Sequence, residues 1–222
     1  MAKNHRKWFV AFATPYLGDS PIEVSAGRGD YAAEWRVHAP TMTLTEADAG
    51  RLVALKERFA TDGGVTVREL LMPCEVEAEQ SGHSAAISYN VLEHIEDDIG
   101  ALRTMRSLVR PGGYVINVVP AFPFAMSPVD VMTGHVRRYT RKTMRAAMVE
   151  ADLEIVKLHY ANSLGLIGYY VSTSLLKQKP GPGPMVKFYD TLVAPLTRLV
   201  ERVVRPPFGQ SVVAIGRRPS GT

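Results

Sequence analysis

Two glycines follow a short apolar run near the start of the chain, in the stretch IEVSAGRGDYAA (residues 22–33). Gly27 and Gly29 stand between a predicted strand and a predicted helix, and a chain commonly approaches a nucleotide-like ligand through such a turn. Glu46 closely follows the next predicted strand, where its carboxylate can accept hydrogen bonds from the two hydroxyls of a ribose. These residue types therefore predict a site for a ligand that contains a nucleoside.

A second stretch that could do chemistry is GHVRRYT, residues 134–140. No acid occurs between Val131 and Val149, and six basic residues fall in this window: His135, Arg137, Arg138, Arg141, Lys142 and Arg145. A solvated helix face is one explanation of such a run, and a pocket for an anion is the other. We do not expect nucleic acid as the partner, because aromatic residues are not interleaved with the basic ones.

Length and composition narrow the class of protein. The 222 residues suit one domain spanning 1–222, and 46% of them are hydrophobic. Cys74 is the only cysteine, which excludes an internal disulfide and a cysteine-based metal cluster; no metal site is predicted. The apolar stretch 164–176 is too short to span a bilayer, so we expect a cytoplasmic protein without membrane contact.

The elements that must position these residues alternate between strand and helix. Strands are predicted at 22–26, 41–44, 65–70, 85–89, 114–119, 154–158 and 212–215. Helices are predicted at 30–39, 49–59 and 97–109, with a further helix whose N-cap is Thr140. Strands separated by helices pair in parallel, so the fold class is a doubly wound α/β domain.

Two regions lie outside this alternation. Residues 1–20 are predicted to form an N-terminal helical lid, and residues 163–208 a helical insert before the last strand. The insert is interrupted by KPGPGP at 179–184, a connector that breaks helices. We expect the insert to cap the pocket or to form the face of a homodimer, and the sequence does not decide between them.

The glycine turn fits two ligands. From Gly27 it is the G-x-G-x-x-A fingerprint of dinucleotide-binding proteins; from Glu23 it is E-x-S-x-G-x-G. The segments NVLEHIEDD (90–98) and LVRPGGYVINVVP (108–120) decide the matter, because with the first motif the chain resembles the class I S-adenosylmethionine-dependent methyltransferases. This resemblance implies a mostly parallel seven-stranded sheet whose last strand is antiparallel, with 154–160 and 211–217 as the closing antiparallel pair.

The resemblance also implies a cofactor site. Members of the family bind S-adenosylmethionine, and the matching positions here are Glu23, Ser25, Gly27, Gly29, Glu46, Asn90 and Val91. Ser25 stands where glycine is usual. Leu71 and Met72 stand where many members place an acid or amide against the adenine, so apolar contacts are expected there.

The family resemblance gives less support for the residues that bind the methyl acceptor. We expect Tyr31, His135, Arg137, Arg138 and Tyr139 to bind the substrate, and Tyr31 and His135 to act in catalysis. The resemblance and the basic run together predict O-methylation of a small anionic metabolite, such as a phosphonate, phosphate or carboxylate, in natural-product biosynthesis. Alternatives are N- or C-methylation, a non-catalytic partner protein that binds the cofactor, and an NAD-linked oxidoreductase. His135 is the leading base if the acceptor is a neutral hydroxyl or amine.

Overall fold

A seven-stranded sheet organises the computed structural model, which describes residues 3–172 and 183–221. The strands are β1 (Ile22–Glu23), β2 (Met42–Glu46), β3 (Val65–Glu69), β4 (His83–Tyr89), β5 (Val109–Pro120), β6 (Glu154–Ala161) and β7 (Ser211–Arg217). Their order is β3-β2-β1-β4-β5-β7-β6. Strands β1 to β5 pair in parallel, and β7 runs antiparallel to both β5 and β6. The predicted doubly wound α/β fold with an antiparallel last strand is confirmed.

Helices connect the strands and cover the sheet. They are α1 (Lys3–Ala13), α2 (Ala32–Trp35), α3 (Ala49–Phe59), α4 (Asp98–Leu108), α5 (Pro128–Met132), α6 (Arg141–Glu150), α7 (Ser163–Tyr170), α8 (Pro184–Phe188) and α9 (Ala194–Val203). The predicted N-cap is confirmed, because the Thr140 hydroxyl accepts a hydrogen bond from the Thr143 amide at 3.1 Å at the start of α6. Such a bond satisfies one of the amides that the first helical turn leaves free.

Two elements around the glycine turn are shorter than predicted. Strand β1 ends at Glu23, two residues before Ser25 adopts a positive φ of 55°. That left-handed backbone conformation cannot continue a strand. Helix α2 has only four residues and passes into a 3-10 turn over Arg36–His38. The tighter turn keeps Trp35 fully buried, with its indole N–H donating to the Val10 carbonyl at 3.1 Å.

The core lies on both faces of the sheet. One apolar cluster packs α4 and α6 against β4, β5 and β7, and the other packs α1, α2 and α3 against the opposite face. Burial on both faces is greatest in the central strands β4 and β5, where residues 84–89 and 115–120 are buried without a break.

The insert and the N-terminal helix are joined. A π-helical turn, Tyr189–Val193, lies between α8 and α9 and carries the buried Asp190. The Asp190 carboxylate accepts hydrogen bonds from the amides of Asn4 and His5 at 3.2 and 2.9 Å, so it caps the first turn of α1. Residues 173–182, including most of the KPGPGP segment, lie outside the described residues. None of the described helices combines the length and the apolar character that a bilayer crossing requires.

Candidate active site

Two cavities open at the carboxyl ends of the parallel strands, where ligands of open α/β sheets bind. The first, which we call the β2 cavity, has a volume of about 610 Å³ and is lined by Ser25, Glu46, Leu71, Met72 and Val91 among others. The second, which we call the α1 cavity, has a volume of about 420 Å³ and is lined by residues that include His5, Phe9, Tyr31, Asp130, His135, Arg138 and Tyr169. Asn90, His94 and Thr133 line both cavities. The two cavities therefore adjoin each other at these three residues.

The two motif glycines have different surroundings. Both adopt a positive φ, 59° at Gly27 and 73° at Gly29. A Cβ atom added at Gly27 would meet no atom within 4 Å, whereas one added at Gly29 would lie 2.5 Å from the Phe59 ring and 2.9 Å from a Leu55 methyl group. Gly29 therefore allows α3 to pack closely against the turn, a structural role that the motif alone does not reveal.

Glu46 ties the glycine turn to the end of β2. Its side chain is 4% exposed, and it accepts hydrogen bonds from the amides of Gly27 at 2.8 Å, Ala47 at 3.0 Å and Asp48 at 3.1 Å. A carboxylate offers about four acceptor positions, so about one remains for a ligand in the adjoining cavity. The predicted double hydrogen bond to a ribose diol therefore needs one of the backbone bonds to be released.

Glu23 lies apart from both cavities. It is 4% exposed, and within the described part of the chain its Oε2 atom has no hydrogen-bond partner. Burial, reinforced by the nearby carboxylates of Asp30 and Glu46, raises the pKa of Glu23 well above its usual value. Glu23 lies beside Tyr31, whose own pKa is raised to about 12 by burial and by the charge of Glu23. Glu23 is absent from the walls of both cavities, and its contact with the cofactor stays a prediction.

The end of β4 supplies the residues shared by the cavities. Asn90 has a φ of 56°, and asparagine is one of the few residues that tolerate this left-handed conformation. The resulting sharp turn exposes Asn90 at the junction and brings Val91 to the wall of the β2 cavity. His94 follows on a 3-10 turn, Leu92–His94, and is exposed to both cavities.

His135 is held in the α1 cavity by Asp130, which α5 carries. His135 Nδ1 lies 2.8 Å from Asp130 Oδ1. Because an ionised carboxylate only accepts hydrogen bonds, Nδ1 carries the proton, and in the neutral ring Nε2 holds the free electron pair. Burial acts to raise the pKa of Asp130, but hydrogen bonds from Ser127, Arg138 and Tyr169 outweigh it and lower that pKa to about 2.

Arg138 is committed to the same carboxylate. Its Nε and Nη2 atoms donate to Asp130 Oδ1 at 3.0 and 2.7 Å, Nη1 donates to the Ala121 carbonyl at 3.1 Å, and the residue is 7% exposed. The sequence predicts that this guanidinium binds an anionic substrate, but its charge is already paired with Asp130. Arg138 lines the cavity and holds Asp130 in place.

Two of the predicted acceptor residues are not brought to the α1 cavity. The Arg137 guanidinium faces outward, 2.9 Å from Asp98 Oδ1, and it also donates to the Glu96 carbonyl at 2.6 Å. Tyr139 is 2% exposed, and its hydroxyl donates to Asp98 Oδ2 at 2.8 Å. Residues 135–138 are not helical, and Arg137 pairs with Asp98 and Glu96 outside the cavity that Arg138 lines.

Sequence reasoning missed several residues that the structure brings together. His5 and Phe9 reach the α1 cavity from α1, and Tyr169 reaches it from α7. Glu93 is fully buried, neither of its carboxylate oxygens has a hydrogen-bond partner among the described residues, and Oε1 lies 3.9 Å from His135 Nε2. A charged residue inside the otherwise apolar VLEHI stretch was the signal available for Glu93, since buried acids need partners.

Comparison with known proteins identifies the family. The sequence pattern of a methyltransferase domain family matches residues 7–158. A solved complex between the Haloferax volcanii Trm112 methyltransferase activator and a methyltransferase contains a chain that is 15% identical, with 97% of this chain and 89% of that chain covered and a TM-score of 0.67. An S-adenosylmethionine-dependent methyltransferase from Mesorhizobium loti is 14% identical, with 97% and 99% covered and a TM-score of 0.66.

A third structure was solved with a ligand. The N-methyltransferase NodS from Bradyrhizobium japonicum WM9, in complex with S-adenosyl-L-homocysteine, is 11% identical, with 97% of this chain and 85% of that chain covered and a TM-score of 0.59. No curated protein matches significantly in sequence. Because the family pattern spans well over half of its residues, the chain belongs to the methyltransferase domain family, and its cofactor is S-adenosylmethionine.

Proposed function

We propose that the protein transfers a methyl group from S-adenosylmethionine to a hydroxyl oxygen of a small molecule in the α1 cavity. The observation that carries this proposal is the orientation of His135. Asp130 fixes the ring through Nδ1, and His135 lines a cavity that adjoins the β2 cavity. A hydroxyl needs a proton acceptor to become a good nucleophile, and Nε2 is such an acceptor.

The β2 cavity suits the cofactor. Glu46 keeps about one acceptor position for a ribose hydroxyl, Leu71 and Met72 offer apolar surface to the adenine, and Asn90 lies where the amino-acid portion would meet the junction. When bound, the cofactor supplies an electrophilic methyl group on a sulfonium. Ser25 and Gly27 give the turn its shape, and we assign Gly29 and Glu23 to support of that turn.

The acceptor must lie at the junction for transfer to occur in line. The His94 and His135 rings meet edge to face with centroids 4.6 Å apart, and His94 lines both cavities. An acceptor oxygen that is hydrogen-bonded to His135 Nε2 therefore lies close to the boundary across which the methyl group would pass. Holding two reactants in such a geometry contributes roughly 7 kcal/mol or more in favourable cases.

The pairing of the arginines favours a hydroxyl over a preformed anion. The expectation of a phosphonate, phosphate or carboxylate rests on Arg137 and Arg138, and both guanidinium groups pair with aspartates. Tyr31 stacks on Trp35 with ring centroids 5.5 Å apart, and it lines the α1 cavity. The open α1 cavity favours an enzyme over a non-catalytic partner protein.

The test is incubation with S-adenosylmethionine and a panel of phenols, alcohols, amines, carboxylates and phosphonates, followed by mass spectrometry for the gain of one CH2 unit. We expect hydroxyl compounds to be methylated. His135→Asn should lower turnover by about 100-fold to 10,000-fold, the usual contribution of a general base, with little change in cofactor affinity. Arg137→Ala is the matched control and should leave turnover intact. Methylation of amines or phosphonates only, or full activity in His135→Asn, would refute the proposal.

A further inference from the structure

We propose that Glu93, His94 and His135 form a binding site for a divalent transition-metal ion at the wall of the α1 cavity. One ligand atom from each residue can be chosen so that all three atoms lie within 4.8 Å of one another. Two imidazoles and one carboxylate that leave further coordination positions open are a ligand set typical of divalent metals such as iron and zinc.

Glu93 is the first observation that points to a ligand. The residue is fully buried, and within the described part of the chain neither carboxylate oxygen has a hydrogen-bond partner. Its Oε1 lies 3.9 Å from His135 Nε2, too far for a direct hydrogen bond. A buried polar group is normally satisfied, and a cation between Glu93 and His135 would satisfy this one.

His135 is the second observation. Its Nδ1 faces Asp130 at 2.8 Å, which leaves Nε2 as the atom directed toward Glu93. A histidine that binds metal through one nitrogen almost always donates its other N–H to a carboxylate or carbonyl, which fixes the ring. Asp130 already supplies that arrangement, and Arg138, Ser127 and Tyr169 hold Asp130 in turn.

His94 completes the set from the cavity side. It is exposed, and its ring already packs edge to face against the His135 ring, with centroids 4.6 Å apart. Metal–nitrogen distances of about 2.0–2.1 Å in a tetrahedral site place the ligand atoms about 3.3–3.4 Å from each other. The present spacing of up to 4.8 Å therefore needs a contraction of up to about 1.5 Å, shared among the three side chains.

The metal site does not depend on the proposed function, but its part in catalysis rests on it. Nε2 has one electron pair, so it holds either a proton or the ion. With the ion bound, the acceptor oxygen would coordinate it as the O–H bond breaks and the proton passes to solvent water. A coordinated hydroxyl loses its proton more readily than a free one, so oxygen acceptors would again be favoured.

The experiment uses the full chain without a histidine tag, stripped of metal with a chelator, in the absence of cofactor and acceptor. Zn²⁺ binding is measured by calorimetry and Co²⁺ binding by visible absorption. We expect one ion per chain and a Co²⁺ spectrum with intense low-symmetry bands. Glu93→Gln and His94→Asn should each weaken binding by about 100-fold, and Asp130→Asn by about 10-fold to 100-fold. His38→Asn, at an exposed histidine outside the cluster, is the matched control and should bind as the parent does.

Equal Zn²⁺ affinity in the parent and in His94→Asn would overturn the metal site. Because His94 is exposed, its substitution should leave the fold intact, which thermal melting verifies. Loss of binding in His38→Asn would place the ion elsewhere and would also overturn it. Neither result concerns methyl transfer, which is measured separately with cofactor and acceptor, so the two proposals fail independently.

Discussion

The two glycines of the turn after β1 should respond differently to the same substitution. Gly29→Ala places a methyl group 2.5 Å from the Phe59 ring and 2.9 Å from a Leu55 methyl group, at a φ of 73°. Gly27→Ala meets no atom within 4 Å, at a φ of 59°. Both variants suffer the left-handed backbone penalty of about 1–2 kcal/mol. Only Gly29→Ala adds overpacking, which typically costs about 1–3 kcal/mol.

The free energy of unfolding should therefore fall by about 1–3 kcal/mol more in Gly29→Ala than in Gly27→Ala. For a chain of this size each kcal/mol shifts the melting temperature by about 2–4 °C, so the two variants should differ by roughly 2–12 °C. Urea unfolding followed by circular dichroism measures the first quantity, and calorimetric melting measures the second. If Gly27→Ala proved as unstable as Gly29→Ala, the assignment of Gly29 to the packing of α3 would be refuted.

Three further substitutions test the electrostatics. Asp130→Asn leaves the buried Arg138 charge without its carboxylate and should lower the free energy of unfolding in urea by about 3–5 kcal/mol; an unchanged midpoint would contradict the pairing. Glu46→Gln replaces an acceptor oxygen with an NH2 group that faces backbone N–H donors, so the free energy of unfolding should fall by about 1.5–3 kcal/mol. Cofactor binding measured by calorimetry should also weaken. Parent-like values in both assays would exclude the role given to Glu46. Glu23 has a raised folded-state pKa, so its contribution to stability is fully present below its unfolded pKa and is lost as the pH rises through the folded value. Glu23→Gln should remove the decline that begins above the unfolded pKa in melts recorded against pH, and a decline of the same size in this variant would assign it to another group.

The sheet was predictable because its signals are local. Strands buried on both faces leave continuous apolar runs, and the helices between them carry apolar residues at helical spacing. Even the N-cap Thr140 can be found in the sequence, since capping involves residues only three apart. The family resemblance then placed Ser25, Glu46, Asn90 and Val91 at one edge of the sheet, and the structure puts all four on the wall of the β2 cavity.

The acceptor side was harder to predict because it depends on which side chains pair across separate elements. Arg138 and His135 both contact Asp130, which lies in the five-residue helix α5. Nothing in the basic run reveals this pairing. Likewise, Glu46 accepts hydrogen bonds from three backbone amides because the turn at Gly27 folds back onto it. The shape of this turn follows from positive φ angles that the sequence does not specify.

The hydrogen bonds from Asn4 and His5 to Asp190 connect the N-terminal helix to the insert beside the α1 cavity. Since α1 supplies His5 and Phe9 to the α1 cavity, a change in the position of the insert would be transmitted through Asp190 to those two side chains. Substitutions in the insert, far from the transferred methyl group, could then change which acceptor is preferred without disturbing the strands that hold the cofactor.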